Sequence, residues 1–302
     1  MRHISPAGGD KYRVKEHLTN RCTLHKLSDS MECRTVAREL TIEGTGIHRG
    51  EKTALRLMPG TRGIVFIRQG RRIRATPANV VDTRLNTAIG EGSVLVSTIE
   101  HLMSSLYGAG ITDCEIEVSG EEIPMLDGSA LPFVRLLEEA GTSPVGRWCA
   151  PIQLPSVFRA QRGDAWIEAR PGPFSLTYEI DFPDPAIGAQ QYRFSGGDYA
   201  AEIAPARTFG RIQDVEGLQE AGLALGGGLH NAVVVDGSRV LNPEGFRFPD
   251  ECVRHKILDA LGDLWLLGVP LAAEIRAFKA SHTLHVDLTR QIFEAMTEER
   301  QG

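Results

Sequence analysis

The chain has 302 residues, 42% hydrophobic and 24% charged, the composition of an ordinary folded protein. With 33 Lys and Arg against 39 Asp and Glu the net charge is −6, which excludes a general polyanion binder and leaves room for a local basic pocket for one phosphorylated small molecule. The five cysteines (Cys22, Cys33, Cys114, Cys149, Cys252) are scattered and form no CxxC pair, which excludes a zinc ribbon and a disulfide framework and fits a reducing, cytoplasmic setting.

Residues 1–30 are polar and aperiodic, with six Lys and Arg and no apolar core among them. They read as a disordered tail or a non-native extension rather than a secretory signal. Alternating segments Ala37–Glu43, Lys52–Met58, Gly63–Arg68 and Arg72–Ala75 predict short antiparallel strands. Between the first two, Gly44-Thr45-Gly46-Ile47-His48-Arg49-Gly50 leads into a strand with the wrong spacing for a dinucleotide loop, so it is a hairpin turn. Ile99, Leu102, Met103, Leu106 and Tyr107 lie on one stripe and predict a helix over Thr98–Tyr107, with Ser97 and Glu100 as a capping box. Asp113–Val118 reads as a strand, and Ser129 as the cap of a helix through Phe133, Val134, Leu137 and Ala140. The Pro-bearing stretch Thr142 to Pro155 reads as an inter-domain connection.

The second half repeats the plan. Strands are expected at Ala165–Ala169, Ser175–Phe182, Ala232–Asp236 and Ala273–Lys279. Helices are expected at Val215–Gly222, Asp250–Leu267 and near Asp287–Glu298. The longest apolar stretch, Ile257 to Ile275, holds Asp259, Asp263 and Pro270 and so fails as a membrane span. His101 and His255 each sit in an apolar helix followed by glycine and a similar strand, half the ordered chain apart. That echo suggests an α+β fold of two similar halves, with helices layered on mainly antiparallel sheets.

His255, Asp259 and Asp263 follow one another at four-residue steps, which places two carboxylates and an imidazole on one stripe of a largely apolar helix. One reading is a surface stripe with an i,i+4 pair. The other is a metal site: His255 and Asp259 supply two ligands, and His101 is a candidate third. Glu100 is then either a carboxylate beside that site or the capping-box residue. His282 follows a strand end, where site residues project from loops. No P-loop, HExxH or GxSxG elbow occurs, which argues against P-loop phosphate binding and covalent serine chemistry.

Several long segments in order resemble the UDP-3-O-acyl-N-acetylglucosamine deacetylase family, the zinc hydrolases of lipid A biosynthesis. They are Gly44–His48, Val96–Met103, Glu122–Ser129, Ala206–Gly210, Gly222–Gly227 and Val253–Asp263, within a match over roughly 31–293. The resemblance implies two domains, 31–148 and 149–302, each a mainly antiparallel sheet with helices on one face and the helices sandwiched between the sheets. It implies Zn2+ on His101, His255 and Asp259, Glu100 as general base, and His282 as general acid or cationic stabiliser. Asp263 would orient His282, and Thr208 would help hold the oxyanion. Lys256, Lys279, Asp181, Phe182 and Phe209 would contact the nucleotide sugar, and an insert near 211–239 would form a passage for the acyl chain.

His230, Ser281 and Asn86 depart from the usual Asp, Gly and Cys of the family, which bears on substrate fit rather than on the reaction. The implied protein is a cytoplasmic monomer, peripheral at most at the inner membrane, with no transmembrane segment and no nucleic-acid partner. A non-haem Fe(II) enzyme with the same ligand set and a non-catalytic nucleotide-sugar binder are the rival readings. The first lacks a jelly-roll strand pattern, and the second has no need of Glu100 and His282.

Overall fold

The structure, a computed structural model, describes residues 30–220 and 222–299. The tail expected over 1–30 lies outside the described residues but for Ser30.

In the first half the strands are β1 (Met31–Val36), β2 (Leu40–Thr45), β3 (Lys52–Met58), β4 (Ile64–Arg68), β5 (Arg71–Arg74), β6 (Val80–Asp82), β7 (Ala88–Glu91) and β8 (Val94–Val96). Helix α1 (Glu100–Gly108), β9 (Cys114–Val118), α2 (Leu131–Ala140), β10 (Thr142–Cys149) and β11 (Ile152–Gln153) follow. The main sheet runs β2-β3-β9-β4-β5, with β4 and β9 parallel and every other pair antiparallel.

The second half begins with β12 (Phe158–Arg162), β13 (Ala165–Pro171), β14 (Ser175–Asp181) and β15 (Ala189–Phe194). Next come α3 (Tyr199–Glu202), β16 (Phe209–Arg211), α4 (Ile212–Glu220), β17 (Val233–Asp236) and β18 (Arg239–Val240). It closes with α5 (Glu251–Leu264), β19 (Leu271–Phe278) and α6 (His282–Glu299). Its sheet runs β12-β13-β19-β14-β15, and only β14 and β19 are parallel on that path. The two sheets therefore share one topology. In each, a strand that follows a histidine-bearing helix is inserted at the centre, which is the echo seen in the sequence.

The helices lie between the sheets. Leu102, Met103 and Leu106 of α1 and Phe133 and Leu137 of α2 share a core with Leu55, Leu57, Phe66 and Ile116. Ile257, Leu258 and Leu261 of α5 and Leu284 and Leu288 of α6 share the other with Ile167, Leu176, Tyr178 and Ile275. Helix α1 packs on α5, with every residue of α5 except Arg254 and Lys256 buried. The closest approach is at Gly262, where a Cβ would stand 2.1 Å from the carbonyl oxygen of Glu100. Backbone cannot yield as a side-chain tip can, so Gly262→Ala is expected to cost about 1–3 kcal/mol through overpacking. Calorimetry should show it as a fall in Tm, with activity lost in parallel because Glu100 is displaced.

Several expectations are corrected. Helix α1 starts at Glu100 with Ile99 as its cap and no side-chain cap bond. The capping box does not form, because Thr98 is left-handed (φ +59°) and the Ser97 hydroxyl donates to the Glu121 carbonyl. The stretch expected as an inter-domain connection carries strands of its own: β10 pairs antiparallel with β1, and β11 lies parallel to β19. The helix expected over Asp250–Leu267 ends its α-helical part at Leu264, followed by a 3₁₀ turn and left-handed Gly268. Helix α6 starts at His282, five residues before the expected start, so His282 opens a helix rather than projecting from a loop.

Candidate active site

Helix α5 carries His255 and Asp259 one turn apart, and its packing on α1 brings His101 to the same point. One ligand atom from each lies within 4.8 Å of the others, and all three side chains are buried. The surface-stripe reading of α5 is thereby excluded. Asp259 Oδ1 stands 3.3 Å from His255 Nε2 and 3.6 Å from His101 Nε2, yet it is buried without a hydrogen-bond partner among the described residues. Its other oxygen accepts from the Lys256 ammonium at 2.7 Å.

The Nδ1 of His255 lies 3.1 Å from the Ala206 carbonyl, to which it donates. That fixes the tautomer and leaves the Nε2 lone pair facing inward, as a metal-ligating histidine requires. Burial pushes His255 down to about 3 against the pull of Asp259, so the ring stays neutral. An unpaired carboxylate oxygen facing two imidazole nitrogens is a costly arrangement without a cation. The donor set of two nitrogens and one oxygen fits a catalytic zinc ion with an open position.

Beside this cluster stands a second one. Glu100, buried at the first residue of α1, accepts the Thr87 N–H at 3.0 Å with Oε2. Its Oε1 lies 3.9 Å from His282 Nε2. Burial raises the Glu100 carboxyl, opposed by the charges of His282 and His101. His282 Nδ1 donates to Asp263 Oδ2 at 2.8 Å. Burial works against the imidazolium, but Asp263 and then Glu100 outweigh it and raise His282 to about 9. Glu100, His282 and Asp263 thus stand together, as the resemblance implied, with a carboxylate and an imidazolium facing each other across a short gap.

Around them, the Phe209 ring stands edge-on to His255 at 6.2 Å and to Phe182 at 5.4 Å. Thr208, next in the chain, is pinned by its N–H to the Gly128 carbonyl and by its own carbonyl to the Val233 N–H. Lys279, at a left-handed φ of +50°, pairs with Asp181 at 3.0 Å and Asp164 at 3.5 Å. Both lysines singled out for diphosphate charge are therefore engaged, Lys256 by Asp259 and Lys279 by Asp181. Within the segment expected as an insert, the N–H groups of Leu225 and Gly226 donate to the His48 and Ile47 carbonyls, so it docks on the 44–50 turn. Leu225 and Leu229 are exposed there. Among the departures from the family pattern, His230 and Ser281 are exposed and Asn86 is half-buried.

Sequence reasoning missed the residues that brace this site. Glu122 accepts from the backbone of His48 and Arg49 and from the Thr98 hydroxyl, tying the turn to the start of α1. Thr87 donates to both Glu100 and Asp263. His285 touches Asp263 from one turn along α6. Only His285 had a signal, its three-residue offset from His282, and that signal depended on starting the helix in the right place.

Comparison with known proteins agrees with the geometry. The family model for UDP-3-O-acyl N-acetylglycosamine deacetylase matches residues 33–294. The chain is 44% identical over 270 residues to the UDP-3-O-acyl-N-acetylglucosamine deacetylase of Acidithiobacillus ferrooxidans, covering 86% of this chain and 89% of that protein. It is 42% identical over 271 residues to that of Nitratiruptor sp., covering 87% and 91%. To that of Nautilia profundicola it is 43% identical over 284 residues, covering 90% and 97%.

Proposed function

Because the chain belongs to the UDP-3-O-acyl N-acetylglycosamine deacetylase family, we propose that it hydrolyses the N-acetyl group of UDP-3-O-acyl-N-acetylglucosamine, releasing acetate for lipid A biosynthesis, with zinc as its metal. The observation that carries this reading is the unpaired Asp259 Oδ1 facing two imidazole nitrogens, with the Glu100–His282 pair beside it. Neither rival is favoured: the two sheets sandwich helices instead of forming a jelly roll, and a mere binder has no use for that pair.

An amide is a poor electrophile and water a poor nucleophile at neutral pH. Zinc held by His101, His255 and Asp259 supplies Lewis acidity toward the attacking water and the acetamide carbonyl. Glu100, braced by the Thr87 N–H, takes the proton of the attacking water at its carboxylate. His282, held protonated by Asp263, offers its Nε2 proton to the departing amine and its charge to the developing oxyanion. Thr208 adds a hydroxyl toward the same oxygen. Phe182 and Phe209 offer ring faces to the nucleotide sugar, while Lys256 and Lys279 offset its diphosphate by exchanging partners with Asp259 and Asp181. The segment near 211–239, with Leu225 and Leu229 exposed, guides the acyl chain. The two halves act as domains 31–148 and 149–302 of a cytoplasmic monomer that meets its amphiphilic substrate at the inner membrane face. Among the described residues no helix is long and apolar enough to cross a membrane.

Metal analysis of the purified protein with an assay for acetate release tests the reading: one zinc per chain and acetate from the substrate are expected. Iron in place of zinc, or substrate binding without turnover, would overturn it. The pH dependence is a second check. His282 must be protonated to act, so kcat should fall on the alkaline side as pH rises through a value near 9. In a His282→Gln protein that limb should be absent.

A further inference from the structure

Asp263 is shared. Its Oδ2 lies 2.8 Å from His282 Nδ1 and 2.9 Å from His285 Nδ1, and its Oδ1 accepts from the Thr87 hydroxyl. His285 and Asp263 are fully buried. On the far side of His285, the Tyr178 hydroxyl is 2.9 Å from Nε2 and 2.7 Å from the Ala280 carbonyl. Tyr178 belongs to β14, Asp263 to α5 and His285 to α6, so His285 links a strand of the sheet to the carboxylate of α5.

A carboxylate only accepts, so both imidazoles must present an N–H at Nδ1. Burial disfavours the charged form of His285, whose one N–H then goes to Asp263. The single Tyr178 proton lies between two acceptors, the Ala280 carbonyl at 2.7 Å and His285 Nε2 at 2.9 Å, as a shared hydrogen bond. His285 thus donates to Asp263, while its far side is held by the Tyr178 hydroxyl, which the Ala280 carbonyl anchors. One carboxylate oxygen divides its acceptor strength between a neutral imidazole and the imidazolium that gives up a proton in the reaction.

We propose that His285, backed by Tyr178, is a positioning residue: it holds Asp263 Oδ2 toward His282 and weakens the grip of that oxygen on the His282 proton. The proposal rests on the reading of His282 as the acid and adds a residue that no part of that reading requires. The charged and titratable groups facing His282 are Asp263 and Asp259 from α5, Glu100 from α1, His48 from the 44–50 turn and His285 from its own helix. Those facing His285 are Asp263 and Lys256 from α5, Tyr178 from β14 and His282. Without the His285 donor, Asp263 would bind the His282 proton more tightly. The acid would become weaker, and the alkaline limb of the pH profile would move up.

The test compares zinc-loaded His285→Leu and His285→Asn proteins, the second retaining an N–H near the place of Nδ1. For His285→Leu, kcat should fall by about tenfold, the scale for residues that orient a catalytic site from behind, with KM little changed. Its alkaline limb should rise by about half a pH unit or more, and His285→Asn should restore both. An unmoved limb in His285→Leu, or an Asn variant no better than Leu, would overturn the proposal. A readout independent of variant folding is the ¹⁵N-histidine spectrum of the wild-type protein, where His285 should be the neutral Nδ1–H tautomer; an Nε2–H tautomer would overturn it as well. Asp263→Asn separates the two levels. If that change leaves the alkaline limb in place, the reading of His282 fails; if it moves the limb and His285→Leu does not, only the role of His285 fails.

Discussion

Dialysed Asp259→Ala protein is expected to lose its zinc and, with it, deacetylase activity to the limit of detection. The variant leaves two imidazoles, too few donors for a stable site of this type. It also frees the Lys256 ammonium, now 2.7 Å from Asp259 Oδ2, to place an uncompensated charge beside the two rings. Stability distinguishes a metal site from a structural ion pair. A ligand that binds only the folded state raises Tm with its concentration, so adding zinc should raise Tm in the wild type and leave Asp259→Ala unmoved. If Asp259 served only to pair with His255 and Lys256, its removal would lower Tm equally with and without zinc, and zinc content would stay at one per chain. That result would sink the assignment. His101→Ala and His255→Ala should lose metal in the same way.

The fold and the clustering of His101, His255 and Asp259 were legible in the sequence to different degrees, for physical reasons. Amphipathic alternation in Lys52–Met58 marked β3 to the residue, and the echo between the His101 and His255 segments foretold two sheets of one topology. The spacing of His255 and Asp259 showed that they share a helix face but not whether that face is buried, because burial of α5 comes from α1 and both sheets, which local periodicity does not report. The capping box was misread for a related reason: Thr98 sits at φ +59°, a strained conformation for a β-branched residue, held by its hydroxyl bond to Glu122 from a distant loop. Strain of that kind is set by tertiary contacts, and it turns Glu100 from a cap into a buried carboxylate. The start of α6 was missed because polar His282 and His285 face the site instead of solvent, which breaks the amphipathic pattern where the function lies. The short strands β6 to β8 left no signal of their own, since three or four residues are too few to show a period.

Glu100→Gln should separate rate from stability more cleanly than any other change. Glutamine has the same shape and keeps an oxygen to accept the Thr87 N–H that the Glu100 carboxylate now accepts. It also removes a buried carboxylate whose charged form is disfavoured by burial. The folded protein therefore loses little, and Tm should stay within roughly two degrees of wild type, the range of substitutions that break no core contact. Zinc and substrate should still bind, because Glu100 is not among the three ligands. Turnover is another matter, since the amide cannot take a proton from the attacking water. Loss of a general base costs about 10²–10⁴ in rate, roughly 3–5 kcal/mol of barrier. We expect kcat to fall by at least about a hundredfold with KM nearly unchanged, the signature of an interaction made only in the transition state. Near-normal turnover in the zinc-loaded variant would remove Glu100 from the chemistry. His282, 3.9 Å from Glu100 Oε1, would then be the group to test as the base, and its alkaline limb would have to appear as an acid one, because a base must be deprotonated to act.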